Sequence, residues 1–432
     1  MKNRFYKYSS ALKNKYQYFL LYILFFYFIF MPDLSFVNSF FKNSVVLTIL
    51  LIIILIFYFK DVYKFIVQNK VILISTSIIL FANFYTLVIS IMNDIPIQNN
   101  INGIIFILKT LTFIGIFTLL DKYYHRNKFD FLINIFFFQS LICFCMLIFP
   151  FLKEIANCLY INNFPGYYSS PQLGIVETRI YGIASDYTFS LSISMALVSL
   201  YSLILYFKKK KMNYLIKSLF ILTASMLNGR TGFFIFLLCT FIIIVYNIRV
   251  HNFEKINLIK KKFFILSSLF IMILIMLTFV DSSWINWFKS SFIEIGSLLT
   301  GKKIGVFDAL NKAFFLPSGL NLIFGVGGKV YGELGLQLVG RMSDIGYVND
   351  IFRGGLIYAL FAYGAYCYII YQAIKKSEIE NMSALNNDSL LLISSFIFIL
   401  VSNYKGEAFS GSSIFFLSLY ASYVYLLKKK KE

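Results

Sequence analysis

Four ionisable residues stand where the apolar pattern of this chain leaves little room for charge. Arg230 lies in the run Asn228-Gly229-Arg230-Thr231-Gly232, between two long apolar stretches. A guanidinium presents a planar fork of donors that grips phosphate or carboxylate bidentately, and flanking glycines let backbone N–H groups approach an anion. Arg179 opens Arg179-Ile180-Tyr181-Gly182 at the end of a polar loop, and Asp186 follows inside the next apolar run. A helix beginning near Arg179 would put both on one face. Lys109 lies one to two turns into another apolar stretch, where a cation faces a cavity more readily than lipid. Each position also has a plainer reading. An arginine at a membrane edge can snorkel to headgroups, at less than the ~2.5–3.5 kcal/mol it costs at mid-bilayer. Asp186 can be the ion-pair partner of Arg179 or Lys109 rather than a group that meets substrate.

A second group falls in residues 281–353, the one long interval with no apolar run able to cross a bilayer. It holds Trp284, Trp287, Phe288 and Phe292, then the glycines 325, 327, 328, 332 and 335, then Arg341, Asp344, Tyr347, Asp350 and Arg353. Charges this close to the next apolar run point to a polar site at the mouth of a cavity, with a solvated surface as the plain alternative. The stretch from Phe324 to Gly332 lacks both Walker spacing and a preceding strand, so a tight turn is the better reading than a phosphate loop. The two histidines, His125 and His251, lie in basic links between apolar runs, which leaves no imidazole for the interval 281–353. Four of the five cysteines fall in apolar runs and none shows metal-ligand spacing, so neither a metal nor another cofactor is expected.

The elements that must position these residues are membrane helices. The chain has 432 residues, 59% hydrophobic and 14% charged, with 51 Phe and 31 Tyr. A soluble domain carries about 25% charge. Apolar runs long enough to cross a bilayer recur at about twelve places: 18–31, 44–59, 71–92, 104–120, 129–150, 183–207, 214–227, 233–248, 263–280, 354–374, 389–401 and 413–427. They are continuous rather than alternating, which excludes strands and predicts an all-α polytopic bundle. Three regions follow: a bundle over 1–280, a loop domain over 281–353, and a second bundle over 354–432. The net charge of +20 would suggest nucleic acid in a soluble protein. Here the lysines sit in blocks beside the runs and act as topology signals, so nucleic acid is not expected. With the N-terminus in the cytoplasm, the inner segments carry roughly twice the Lys and Arg of the outer ones. Both termini are then cytoplasmic. The loop 281–353, the loop 151–182, the Asn228–Gly232 turn and the turn 403–412 share the outer face.

In this setting four segments resemble the Wzy-type polysaccharide polymerases of the O-antigen polymerase and ligase superfamily. Arg179-Ile180-Tyr181-Gly182 is similar to the family's Arg-x-x-Gly segment, and Asn228-Gly229-Arg230-Thr231-Gly232 to its Arg-Thr-Gly turn. Phe324-Gly325-Val326-Gly327-Gly328 is similar to the Gly-x-Gly of its large loop. Ser343-Asp344-Ile345-Gly346-Tyr347, followed by Gly354-Gly355, is similar to its Asp-x-Gly-Tyr stretch. The resemblance implies a GT-C-like helical fold in the bacterial cytoplasmic membrane. It implies that undecaprenyl-diphosphate-linked oligosaccharides are the substrates, joined into O-antigen or capsular polysaccharide on the outer face without a metal. Membrane lipids surround such an enzyme, and a chain-length regulator and a flippase are the implied protein partners. Arg179 and Arg230 would neutralise diphosphate charge. A carboxylate would take the acceptor proton, Asp344 first and Glu333 behind it. Asp186, Tyr347, Arg341 and Arg353 would line the remaining cavity. A ligase shares this layout but typically carries a histidine in the large outer loop, and this loop has none. A lipid-linked-oligosaccharide flippase or a secondary transporter is the competing class, for which paired broken helices would be the sign.

Overall fold

The computed structural model describes residues 2–32, 43–95, 101–161, 179–184, 189–250, 293, 300, 311–379, 387–409 and 412–427. Asp186, the apolar run 263–280 and the aromatics of 284–292 lie outside the described residues. Inside a bilayer a backbone must satisfy its own hydrogen bonds, and continuous apolar runs do this as helices. The described residues accordingly contain helices and no strand. In chain order these are α1 (Lys2–Phe30), α2 (Asn43–Gln68), α3 (Lys70–Met92), α4 (Ile101–Tyr123), α5 (Lys128–Ile148), α6 (Pro150–Ile161), α7 (Phe189–Lys209), α8 (Met212–Asn228), α9 (Arg230–Val250), α10 (Leu320–Phe324), α11 (Gly332–Val339), α12 (Gly346–Ile379), α13 (Asn387–Lys405) and α14 (Ser413–Leu426).

Seven of these helices contain stretches long and apolar enough to cross a membrane: Ser44–Gln68, Lys70–Met92, Gly103–Tyr123, Lys128–Ile148, Phe189–Lys209, Gly346–Ser377 and Asp388–Lys405. Tyr16–Phe30, Arg230–Val245 and Ser413–Leu426 are apolar but shorter. The observed architecture is thus an all-helical membrane bundle, with seven full-length spans among the described residues where the sequence pattern marks about twelve runs. The side chains of α2 separate the two environments. Ile52, Ile53, Ile56 and Phe57 are exposed, as lipid-facing residues are, while Leu47, Leu51 and Ile54 pack inward.

Between helices in lipid, packing and hydrogen bonds hold the structure rather than expulsion of water. Two devices dominate. The first is an aromatic core in which Phe25, Phe113, Phe117, Phe131, Phe416, Tyr420 and Tyr423 interlock. Phe25 and Phe117 meet the Tyr420 ring edge-on at 5.4 and 5.2 Å. Such pairs contribute about 0.5–1.5 kcal/mol each beyond area burial. The second is a hydroxyl zipper between antiparallel α7 and α8. Ser192 pairs with Ser225, Ser199 with Ser218, and Ser202 donates to the Tyr214 carbonyl at 2.7 Å. Small polar residues let these two backbones approach closely and satisfy each other.

The bundle has two unlike ends. At one, where α4 ends and α8 begins, lysines are tied to acids: Lys208 to Asp388 at 2.7 Å, Lys128 to Asp121 at 2.8 Å and Lys122 to Asp61 at 2.8 Å. At the other end α3, α8 and α13 finish and α9, α12 and α14 start, and here Arg179, Arg230 and Arg353 are found.

The start of α12 is locked by glycines. The backbone leaves helical geometry at Gly355 (φ 66°, ψ −166°), a conformation that a side chain would strain. The break frees the Phe352 carbonyl, which accepts from Val326 N–H at 2.6 Å and from Gly327 N–H at 3.2 Å. A Cβ on Gly355 would sit 2.1 Å from the Ile323 carbonyl oxygen, and one on Gly327 2.5 Å from the Ser90 backbone. The glycine cluster is therefore a packing joint between residues 323–328, α3 and α12. The amides of Val326 and Gly327 that a phosphate loop would offer are already in use. The helix starts at Gly346, so the expected boundary at 353/354 falls inside α12, beside this break.

Candidate functional site

The arginine turn is built by α7, α8 and α9. Helix α8 ends at Asn228, Gly229 is extended, and Arg230 opens α9, so the positive end of the α9 dipole lies beside the guanidinium. The flanking glycines have a reason that the sequence does not reveal. A Cβ on Gly232 would lie 2.4 Å from the Ser192 carbonyl oxygen, and one on Gly229 3.1 Å from the Ser192 Cβ. Ser192 Oγ donates to the Gly229 carbonyl at 2.5 Å. These glycines seat α7 against the turn. What remains for Arg230 is its position.

That position is shared. Ile180 N–H donates to the Leu227 carbonyl at 3.3 Å, which sets Arg179 beside the end of α8 and close in the fold to Arg230. Tyr181 is fully buried, and its carbonyl accepts from Gln139 Nε2 at 2.9 Å. Gly182 turns the chain at φ 64°, and a Cβ there would strike Gln139. Each residue of the Arg-x-x-Gly segment after the arginine thus fixes where the arginine stands. Residues 179–184 are not helical, so Arg179 does not stand on a helix; Asp186, its expected partner on one face, lies outside the described residues.

Residues 403–409 join this turn to the start of α12. Lys405 Nζ donates to Thr231 Oγ1 at 2.6 Å, adding a third cation next to Arg230. Two residues earlier, Asn403 Nδ2 donates to Asp350 Oδ2 at 3.2 Å and to the Tyr363 hydroxyl at 3.1 Å. Tyr363 in turn donates to Asp350 Oδ2 at 2.5 Å. The Asn403 Oδ1 accepts from Ala408 N–H at 2.9 Å. Glu407 pairs with Lys329. Gly346 packs directly on Asn403 and Gly406, where any Cβ would collide. Asn349 closes the loop behind this network: its Oδ1 takes Val330 N–H at 2.9 Å, and its Nδ2 reaches the Ser343 carbonyl at 2.8 Å.

The remaining residues separate into inner and outer positions. Asp344 is exposed between buried Ser343 and Ile345, yet the protein around it desolvates the carboxyl enough to raise its pKa above the ordinary value. The Tyr347 hydroxyl donates to the Leu400 carbonyl at 2.8 Å. Arg341 is exposed, with Cζ 6.0 Å above the Phe315 ring. Glu333 lies in α11, its side chain outside the described residues. Arg353 is not at a cavity mouth: it is 2% exposed, donates to Asn83 Oδ1 at 2.7 Å and lies 5.2 Å over the Tyr358 ring. Gly103 makes room for it. Its Nη1 and the Tyr358 hydroxyl find no partner among the described residues. No group of three or more metal-ligating side chains occurs among the described residues.

Sequence reasoning missed Lys405, Asn403, Asn349, Lys329 and Glu407 as members of the site. Asn403-Tyr404-Lys405-Gly406-Glu407 follows an apolar run directly and has the composition of an ordinary loop. Only the contacts separate it from one.

No protein-family profile, no curated protein and no solved structure matches this chain.

Proposed function

We propose that this chain is a lipid-linked-repeat polysaccharide polymerase, joining undecaprenyl-diphosphate-linked oligosaccharides into O-antigen or capsular polysaccharide. One observation carries the reading. Arg179, Arg230 and Lys405 stand on neighbouring segments at one end of an apolar bundle. In this reading the lysine end and both termini face the cytoplasm, and the arginine end faces outward in the bacterial cytoplasmic membrane. The motifs quoted above support the family. With the family goes a GT-C-like fold.

The chemistry follows from the charges. A hydroxyl oxygen of the acceptor repeat attacks the anomeric carbon of the donor. The bond from that carbon to the phosphate oxygen breaks, and undecaprenyl diphosphate leaves with the electron pair. Diphosphate is a good leaving group, so the protein's task is to neutralise its charge and hold two substrates in line. Arg179, Arg230 and Lys405 supply the positive charge. The acceptor proton passes to the Asp344 carboxylate, with Glu333 as the alternative base. Tyr347 and Asn403 hold the start of α12 against α13 and so fix the approach of Asp344. Arg341 adds charge at the surface, and Arg353 and Asp350 hold α12 against its neighbours.

A transporter reading has one observation in its favour. Helix α12 is broken at Gly355, directly after buried Asp350 and Arg353, as substrate-binding helices of transporters often are. A deletion strain separates the readings by gel electrophoresis of envelope polysaccharide. Loss of the polymerase leaves single repeat units on their normal carrier or core and no long chains. Long chains retained on undecaprenyl diphosphate would identify a ligase. Unchanged chains with altered small-molecule uptake would identify a transporter.

A further inference from the structure

Between Lys312 and Lys329 the chain runs from Ala313 to Gly328 without a charge, and most of these residues are apolar. A helix needs about 20 apolar residues to cross a bilayer, and a shorter stretch reads as core, interfacial or re-entrant. The side chains exclude core. Phe314, Leu316, Leu320, Ile323 and Phe324 are all exposed, Leu320 at 72%. Phe315 turns the other way, its ring 5.4 Å from that of Phe352, and so fixes which side faces out. In an aqueous loop a cluster of this kind marks a contact surface, and its depth in the bundle says what covers it.

Helix α3 measures that depth. It exposes Phe81, Phe84, Val88, Ile91 and Met92 at helical spacing, so its lipid-facing side runs to its last residue. The Phe324 carbonyl accepts from the hydroxyl of Tyr85, which stands seven residues (85 to 92) before that end. At 1.5 Å per residue this is ~10 Å inside the layer that α3 spans. Helix α12 agrees. The end of α10 packs on its break, where a Cβ on Gly325 would lie 2.6 Å from Gly354 Cα. Leu356 and Leu360, one turn apart directly after that break, are exposed in their turn. The exposed side chains of α10 thus lie level with lipid-facing residues of the two spans that hold it.

The backbone meets the condition for such a place. Non-helical chain is tolerated at membrane depth where the protein satisfies its polar groups. The Phe324 carbonyl takes the Tyr85 hydroxyl at 3.0 Å and the Val326 carbonyl takes Asn93 Nδ2 at 2.9 Å. Gly325 N–H returns to the Asn321 carbonyl at 2.9 Å, and the amides of Val326 and Gly327 go to the Phe352 carbonyl.

We propose that residues 314–327 re-enter the bilayer from the arginine end and that the occupant of their exposed face is the acyl chains of that leaflet. Burial of the apolar side chains in lipid holds the loop down, as it holds an interfacial helix. Ser343 N–H donates to the Val330 carbonyl at 2.8 Å, so the neighbourhood of Asp344 is tied to the point where the segment leaves the membrane. The inference rests on the membrane bundle alone and stands or falls apart from the polymerase reading.

The test is photo-crosslinking of the full chain in nanodiscs of phosphatidylethanolamine and phosphatidylglycerol. Benzoylphenylalanine replaces Leu320 or Phe324 one at a time, with Ile56 on the exposed side of α2 as the lipid reference and buried Phe113 as the blank. Mass spectrometry is expected to find phospholipid attached through its acyl chains at 320 and 324 in yields like that at 56, and loss of the adduct at 113. Adducts confined to headgroups overturn the re-entry. Adducts to a second copy of the chain make the face a protein interface and overturn the proposal. Absence of adducts at 320 and 324, with 56 still labelled, places the segment in water and overturns it as well.

Discussion

Arg230→Ala is expected to abolish long-chain polymer, and Arg230→Lys to do nearly as much damage. The guanidinium offers two parallel donors to a diphosphate, whereas an ammonium at the same place is a point charge that must reorganise. Loss of one such charge-stabilising donor typically costs ~10²–10³ in rate, and a bidentate grip lost outright belongs at the upper end. The structure makes the comparison clean. The turn is held by Ser192, Gly229 and Gly232, so side-chain replacement at residue 230 leaves those joints intact. Polymer length on gels, normalised to protein abundance in the membrane, is the readout. Normal polymer from Arg230→Ala at wild-type abundance would reduce Arg230 to a headgroup anchor.

Asp344→Asn, nearly isosteric, is expected to lower turnover by ~10²–10⁴, the usual cost of removing a general base. The pH dependence adds a signature. A base works only when deprotonated, so activity falls as pH drops through its pKa. Desolvation raises the Asp344 pKa, so this acid limb lies above the ordinary carboxylate value near ~3.9. The substitution should remove the limb as well as the rate. Wild-type turnover with the limb unchanged in Asp344→Asn would transfer the role to Glu333.

The helices were legible because lipid imposes them: a continuous apolar run has one way to satisfy its backbone. The two ends of the bundle were legible as well, because lysine blocks and polar turns alternate along the chain. What the sequence hid is which polar residue touches which. Gly229 and Gly232 read as an opening to phosphate and turn out to be contact points for Ser192. Arg353 reads as a residue at a cavity mouth, yet it lies buried against Asn83 and Tyr358. A glycine or an arginine near a membrane boundary has the same local pattern whether it faces a ligand or another helix. Lys405 was hidden for the opposite reason. Its partner Thr231 lies 174 positions away, and no local pattern carries that distance. The Arg179-Ile180-Tyr181-Gly182 segment was easier, because Gly182 signals a turn and the turn fixes its neighbours.

The most direct measurement is reconstitution. Purified full-length protein in proteoliposomes, supplied only with undecaprenyl-diphosphate-linked repeat units, should produce a ladder of lipid-linked chains and release undecaprenyl diphosphate. One undecaprenyl diphosphate should appear for each repeat added, and neither ladder nor release should occur with Arg230→Ala. Repeat units that stay single while crossing from one leaflet to the other would contradict the polymerase and make the chain a transporter.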